Sequence, residues 1–170
     1  MFDNPLAQFF GLLSFFLGIF CFYQRDDRRL KIVMFAMQIS NCIHFGLLGA
    51  QTAALSSVFS VVRTGLSLYT HSRLVAWLFI LVSLAMGIWL AQSWQDMLPV
   101  VGSCIGTYAL FCLQGIRMRL AFLLGACFWL SNNIWVGSLG GTLLEITLIS
   151  VNLRTIYKLR RLGQGKPPSP

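Results

Sequence analysis

The stretch Ser40-Asn41-Cys42-Ile43-His44-Phe45-Gly46-Leu47-Leu48-Gly49 returns 91 residues later as Ser131-Asn132-Asn133-Ile134-Trp135-Val136-Gly137-Ser138-Leu139-Gly140. Carried outward without a gap, the register runs from Gln8/Pro99 to Thr64/Thr155, and 12 of its 57 pairs are identical. Gly11/Gly102, Cys21/Cys112, Arg28/Arg119, Asn41/Asn132, Arg63/Arg154 and Thr64/Thr155 are among them. A composition this apolar gives roughly four such identities by accident. The pattern is an internal repeat, and a repeat is read before any other feature because it organises the rest.

The chain has 170 residues, 56% of them hydrophobic and 11% charged, with mean hydropathy +0.72. That leaves too little polar surface to coat a water-soluble domain, so the class is an integral membrane protein. Net charge +8 raises nucleic acid as a partner, but Lys and Arg sit in short clusters between apolar runs, where they set membrane orientation. Nucleic acid is discounted on that ground. Cys21, Cys42, Cys104, Cys112 and Cys127 lie within apolar runs without metal-ligand spacing, so neither a disulfide framework nor a zinc site is expected. Asp3, with no Lys or Arg before the first apolar run, is the wrong flank for a secretory signal, so the first span is expected to stay.

About 20 mostly apolar residues cross the hydrocarbon as a helix. Seven such runs are present, at 5–23, 31–48, 51–70, 74–92, 97–114, 119–137 and 139–158, with short connections that make successive helices antiparallel. All 13 Lys and Arg residues then fall on one side: Arg25 to Lys31, Arg63 and Arg73, Arg117 and Arg119, and Arg154 to Lys166. By the positive-inside bias the N-terminus is periplasmic and the C-terminus cytoplasmic. The fold class is therefore an all-α membrane protein of seven transmembrane helices arranged 3+1+3. Two parallel three-helix repeats, 1–72 and 96–162, are joined by an inversion-linker helix within 73–95, and 163–170 is a disordered cytoplasmic tail. An odd number of spans would invert the second copy; one extra crossing restores its orientation.

Polar residues at membrane depth are the candidate site. At 1.5 Å per residue from Lys31, Asn41 lies ~15 Å into a ~30 Å core. Ser40, Asn41 and His44 share a face of the second span, and Ser131, Asn132 and Trp135 repeat it on the sixth. The ordinary explanation is interhelical hydrogen bonding; the sharper one is a solute site at the repeat interface. Glu145, with Asn152 seven residues on along the same face, adds a carboxylate inside a span, a functional hypothesis in itself. Arg63 and Arg154 form a repeat pair near the cytoplasmic ends, as snorkelling anchors or a gate. Gly46, Gly137, Gly49, Gly140 and Gly141 are expected to form tight outside turns.

Arg25-Asp26-Asp27-Arg28-Arg29-Leu30-Lys31, His44-Phe45-Gly46-Leu47-Leu48-Gly49, Leu98-Pro99-Val100-Val101-Gly102 and Trp135 to Thr142 with Glu145 together resemble the YgjV family of bacterial inner-membrane proteins. That resemblance covers almost the whole chain and implies a multi-pass protein of the bacterial inner (plasma) membrane, without naming an activity. The 3+1+3 arrangement is also similar in architecture to SWEET and PQ-loop transporters, where paired Asn and Trp residues hold the solute. Here Asn and Trp share spans two and six, and Gln8 and Pro99 replace a Pro-Gln pair, so those residues do not carry over one for one.

The reading is a SWEET-like transporter of a small polar solute by alternating access. Substrate would be bound by Asn41, His44, Asn132, Trp135, Glu145 and Asn152. The alternative is a non-transporting receptor or scaffold whose basic loops dock a partner or anionic lipid. No cofactor or metal is implied, and an enzyme is not expected because no nucleophile and base adjoin in the sequence. The partners are the lipid bilayer and a small polar solute, and a homo-oligomer is left open.

Overall fold

Asp26 starts the second helix. Its carboxylate accepts a 2.8 Å hydrogen bond from the Arg29 amide, satisfying one of the donors a helix leaves open in its first turn. Asp27, in that turn, complements the helix dipole. The computed structural model describes residues 5–47, 51–91, 93–135 and 139–164, and over the described residues it shows seven α-helices and no strand. They are α1 (Pro5–Tyr23), α2 (Asp27–Leu47), α3 (Gln51–Tyr69), α4 (Arg73–Leu90), α5 (Met97–Cys112), α6 (Gly115–Trp135) and α7 (Leu139–Gln164). A short 3-10 turn, Trp94–Asp96, leads into α5 through a capping box in which the Ser93 amide donates to Asp96 at 2.9 Å.

The apolar runs fall on these seven helices. The largest difference in bounds is at α7, which continues to Gln164 instead of ending at 158. Gly163 and Gln164 therefore close a helix, and residues 165–170 of the expected tail lie outside the described residues. Gly46 is in the last turn of α2, and Gly140 and Gly141 are in the first turn of α7, so they extend helices where turns were expected. Gly49 and Gly137 lie outside the described residues. The sharp turn that does require glycine is at α5–α6, where Gly115 has φ +58° after a connection of two residues.

The chain divides into two compact units, Met1–Thr70 and His71–Pro170. In the first, α2 packs between α1 and α3. In the second, α4, α5, α6 and α7 pack in chain order, so the expected linker helix α4 lies against α5, with the Phe79 and Phe111 rings stacked at 5.9 Å. α1 buries Ala7, Ser14, Gly18 and Cys21 and turns Phe9, Leu12, Phe16 and Phe20 outward. Small residues inward and large ones outward is how helices pack in lipid, where close backbone approach replaces hydrophobic collapse. By length and composition, α1 and α2 are the two described helices that clearly suffice to cross a bilayer.

Hydroxyls follow the same logic. Ser14, Ser83, Thr107, Ser131, Thr147, Ser150 and Thr155 each donate to the carbonyl four residues earlier. Each is satisfied without leaving its own helix, which is what a polar group in hydrocarbon requires.

The helix pairs are registered differently in the two units. Phe10 of α1 meets Ser40, 30 residues on. Gly102 of α5 meets Gly125 of α6 only 23 residues on, because the connection is shorter by one residue and the helices end and begin closer to it. At that contact the backbones touch: a Cβ on Gly102 would lie 2.9 Å from the Gly125 carbonyl oxygen. α2 is described for six residues beyond Asn41, and α6 for three beyond its twin Asn132.

Gly102→Ala is expected to force α5 and α6 apart and to lower stability by ~1–3 kcal/mol. Gly46→Ala, which meets nothing within 4 Å, is expected to stay within about 1 kcal/mol of the parent, any change being a gain in helix propensity. Thermal unfolding of the purified protein in detergent measures both.

Candidate polar site

Ser40, Asn41 and His44 lie along one side of α2, but they do different work. The Ser40 hydroxyl, 3% exposed, donates to the Phe10 carbonyl at 2.9 Å. His44 Nδ1 is 2.6 Å from the Ala7 carbonyl oxygen. A carbonyl only accepts, so Nδ1 is the donor in this bond. Gly11 makes the space for that ring, since a Cβ there would lie 2.9 Å from His44 Cε1. Ser40 and His44 thus tie α2 to α1. Asn41 is half-buried, and no side-chain hydrogen bond is found for it among the described residues.

The second copy is used otherwise. Ser131 is exposed and donates to the Cys127 carbonyl of its own helix at 2.9 Å, where Ser40 reaches across to a neighbour. Trp135 is 65% exposed and faces Trp94 of the 3-10 turn, ring centroids 6.3 Å apart at 50°. Asn132 is half-buried and, like Asn41, makes no side-chain hydrogen bond among the described residues.

Asn152 is 2% exposed, and its amide donates to the Arg119 carbonyl at 2.9 Å, joining α7 to α6. Arg119 thereby marks the height of Asn152, 13 residues or ~20 Å along α6 from Asn132. Glu145, half-buried on α7, falls between these heights. Within the second unit the structure brings Trp135 to Trp94 near Asn132, and it leaves Asn152 at the other end of the same helix pair. Arg63 is half-buried on α3 and Arg154 is exposed on α7, whereas the adjoining twins Thr64 and Thr155 are both buried.

Two buried cations were not singled out by the sequence reading. Lys31, 4% exposed, donates from Nζ to the Ser67 carbonyl at 3.1 Å, in the last turn of α3. A helix leaves its last carbonyls open, and a cation there meets both the orphan acceptor and the negative end of the dipole. Arg119 is fully buried while its twin Arg28 is exposed. In the sequence both are members of basic clusters; the one signal setting Lys31 apart is its place four residues after Asp27 at the edge of the apolar run.

The profile of the family Imp-YgjV, described as bacterial inner membrane protein, matches residues 5–162. The chain is also similar to the inner membrane protein YgjV of Escherichia coli (strain K12), at 34% identity over 157 residues, covering 92% of this chain and 86% of that protein. No solved structure matches.

Two outcomes separate polar groups that hold the fold from those that do not. Asn152→Ala is expected to cost ~0.5–1.5 kcal/mol by removing a buried hydrogen bond between α7 and α6, and Asn41→Ala less than about 0.5 kcal/mol, both read from unfolding midpoints. Gly11→Ala and His44→Ala are expected to be non-additive, with a coupling of ~0.5–3 kcal/mol in a double-mutant cycle, because each disrupts the same ring contact.

Proposed function

This chain belongs to the YgjV family of bacterial inner-membrane proteins, and from that premise we propose that it carries a small polar solute across that membrane. The observation that supports this reading is the pair Asn41 and Asn132. They are twins in the 91-residue repeat, each half-buried, and each without a side-chain hydrogen bond among the described residues. Their neighbours Ser40 and His44 are engaged with α1. An amide at membrane depth costs several kcal/mol if nothing answers it, and a polar solute is one thing that answers it.

In this reading all seven helices cross the bilayer, with the N-terminus periplasmic and the C-terminus cytoplasmic, as the one-sided placement of Lys and Arg implies. The repeats form a 3+1+3 arrangement with α4 as the linker, and alternating access moves one repeat against the other. Asn41, Asn132 and Glu145 meet the solute. His44 and Asn152, already bonded to backbone carbonyls, position the helices that carry them. Arg63 and Arg154 guard or anchor the cytoplasmic ends. The reading includes no catalytic step.

The test is thermal unfolding of purified protein against sugars, nucleosides, amino acids and small organic acids. A solute at a hundred times its dissociation constant is expected to add ~2.7 kcal/mol, and the Asn41→Ala/Asn132→Ala protein is expected to lose that shift while unfolding at its own normal temperature. No shift with any class, in well-folded protein, overturns the carrier and favours a receptor or scaffold. With a solute in hand, uptake into vesicles by Glu145→Gln distinguishes mechanisms: a facilitator keeps working, and a proton-coupled carrier stops.

A further inference from the structure

α7 is 26 residues long, ~39 Å at 1.5 Å per residue, against a hydrocarbon thickness of ~30 Å. Its outward face changes character along its length. Leu143, Ile146, Leu153 and Tyr157 are exposed and recur at helical spacing, forming an apolar stripe. Where the stripe ends, the exposed residues are Arg154, Lys158, Arg160 and Arg161. Arg154 and Arg161 lie on one flank of Tyr157 and Arg160 on the other, at 100° per residue. The Arg161 guanidinium sits over the Tyr157 ring at 4.8 Å, which keeps it at the rim of the apolar surface.

From this arrangement we infer that the C-terminal third of α7 is a binding site for anionic phospholipid, with the headgroup phosphate held by Arg154, Arg160 and Arg161 and the acyl chains lying along Leu153, Ile146 and Leu143. The cations require a negative partner, and the continuous apolar stripe requires that the same partner present hydrocarbon. A phospholipid of net negative charge supplies both; a water-soluble phosphate or an acidic protein segment supplies only the first. Arginine suits the role because its planar fork meets phosphate oxygens in pairs. Tyr157 marks the height where ring and headgroup meet, the level that amphipathic aromatics favour. The inference rests on the reading of α7 as a membrane span and is independent of any carried solute.

The experiment uses the full-length protein purified in detergent and stripped of lipid. Retention of phosphatidylglycerol and of phosphatidylcholine with the same acyl chains is compared by native mass spectrometry and by the thermal shift each produces. The parent is expected to retain phosphatidylglycerol over phosphatidylcholine, and the protein with Arg154→Gln, Lys158→Gln, Arg160→Gln and Arg161→Gln is expected to lose at least about tenfold in that retention. Arg25→Gln/Arg28→Gln/Arg29→Gln, which removes exposed charge from the other unit, is expected to keep it. Glycerol phosphate, the headgroup without chains, is expected to give no shift. Leu153→Asn with Tyr157→Asn is expected to weaken retention while all four cations remain.

Equal retention of the two lipids by the parent overturns the proposal, as does equal retention of phosphatidylglycerol by the four-Gln protein. Competition by glycerol phosphate at the same concentration as lipid also overturns it, in favour of a soluble anion. Should the four-Gln protein fail to fold, the salt dependence of phosphatidylglycerol retention by the parent decides, since a phosphate held by exposed arginines is released as ionic strength rises and a lipid held by acyl contact alone is not.

Discussion

A polar group surrounded by hydrocarbon has no water to fall back on, so it has to find its partner in the protein. Much of this structure follows from that one constraint. Seven Ser and Thr hydroxyls donate to the carbonyl one turn back, including Thr147 and Ser150 on the exposed face of α7. Ser40 and His44 donate to the carbonyls of Phe10 and Ala7 on α1, Asn152 to that of Arg119 on α6, and Lys31 closes the end of α3 through Ser67. Each bond also joins or stiffens helices, so satisfying the polar group and assembling the unit are the same event. Among the described residues, Asn41 and Asn132 are half-buried and make no side-chain hydrogen bond, and the buried Thr64 hydroxyl and Asn152 side-chain oxygen also lack a partner.

Close approach is the second contribution, and it serves the first. Helices in lipid gain little from burying apolar side chains against each other, so contact has to come from backbones brought near. Gly102 and Gly125 touch main chain to main chain, and Gly11 leaves the volume that the His44 ring fills. With no side chain between α1 and α2 at Gly11, Nδ1 of His44 can lie within 2.6 Å of the Ala7 carbonyl. Small residues and polar anchors are therefore one device: the glycine admits the ring, and the carbonyl accepts from it.

The two copies of the repeat show how far identical residues can diverge in use. Ser40 is buried and bonds a neighbouring helix, while Ser131 is exposed and bonds its own. Arg28 is exposed and Arg119 fully buried. His44 sits in the space beside Gly11, while Gly102 is filled by Gly125 and Trp129 and the twin Trp135 turns to Trp94. A shorter α5–α6 connection, made possible by Gly115 at positive φ, sets the second pair of helices in another register and so brings different side chains into contact. Thr64 and Thr155 are both buried, yet the Thr155 hydroxyl donates to the Val151 carbonyl and the Thr64 hydroxyl has no partner among the described residues.

The family and the seven helices were legible in the chain itself. Long apolar runs separated by charged or glycine-rich breaks leave the backbone no way to satisfy its hydrogen bonds except as helices, and that inference needs no tertiary contact. The candidate polar residues were also visible, because a lone Asn, His or Glu stands out within an apolar run. Their separation into groups that hold the fold and groups that remain open was not. Asn152 and Asn41 look alike in sequence, yet one meets the Arg119 carbonyl and the other meets no described side-chain partner. Lys31 reads as one more membrane-edge cation until α3 ends beside it. A hydrogen-bond partner lies on another helix, 30 to 37 residues away, at a height set by helix register. Register depends on the lengths of turns and the fit of small residues across an interface, quantities that only the packed helices decide.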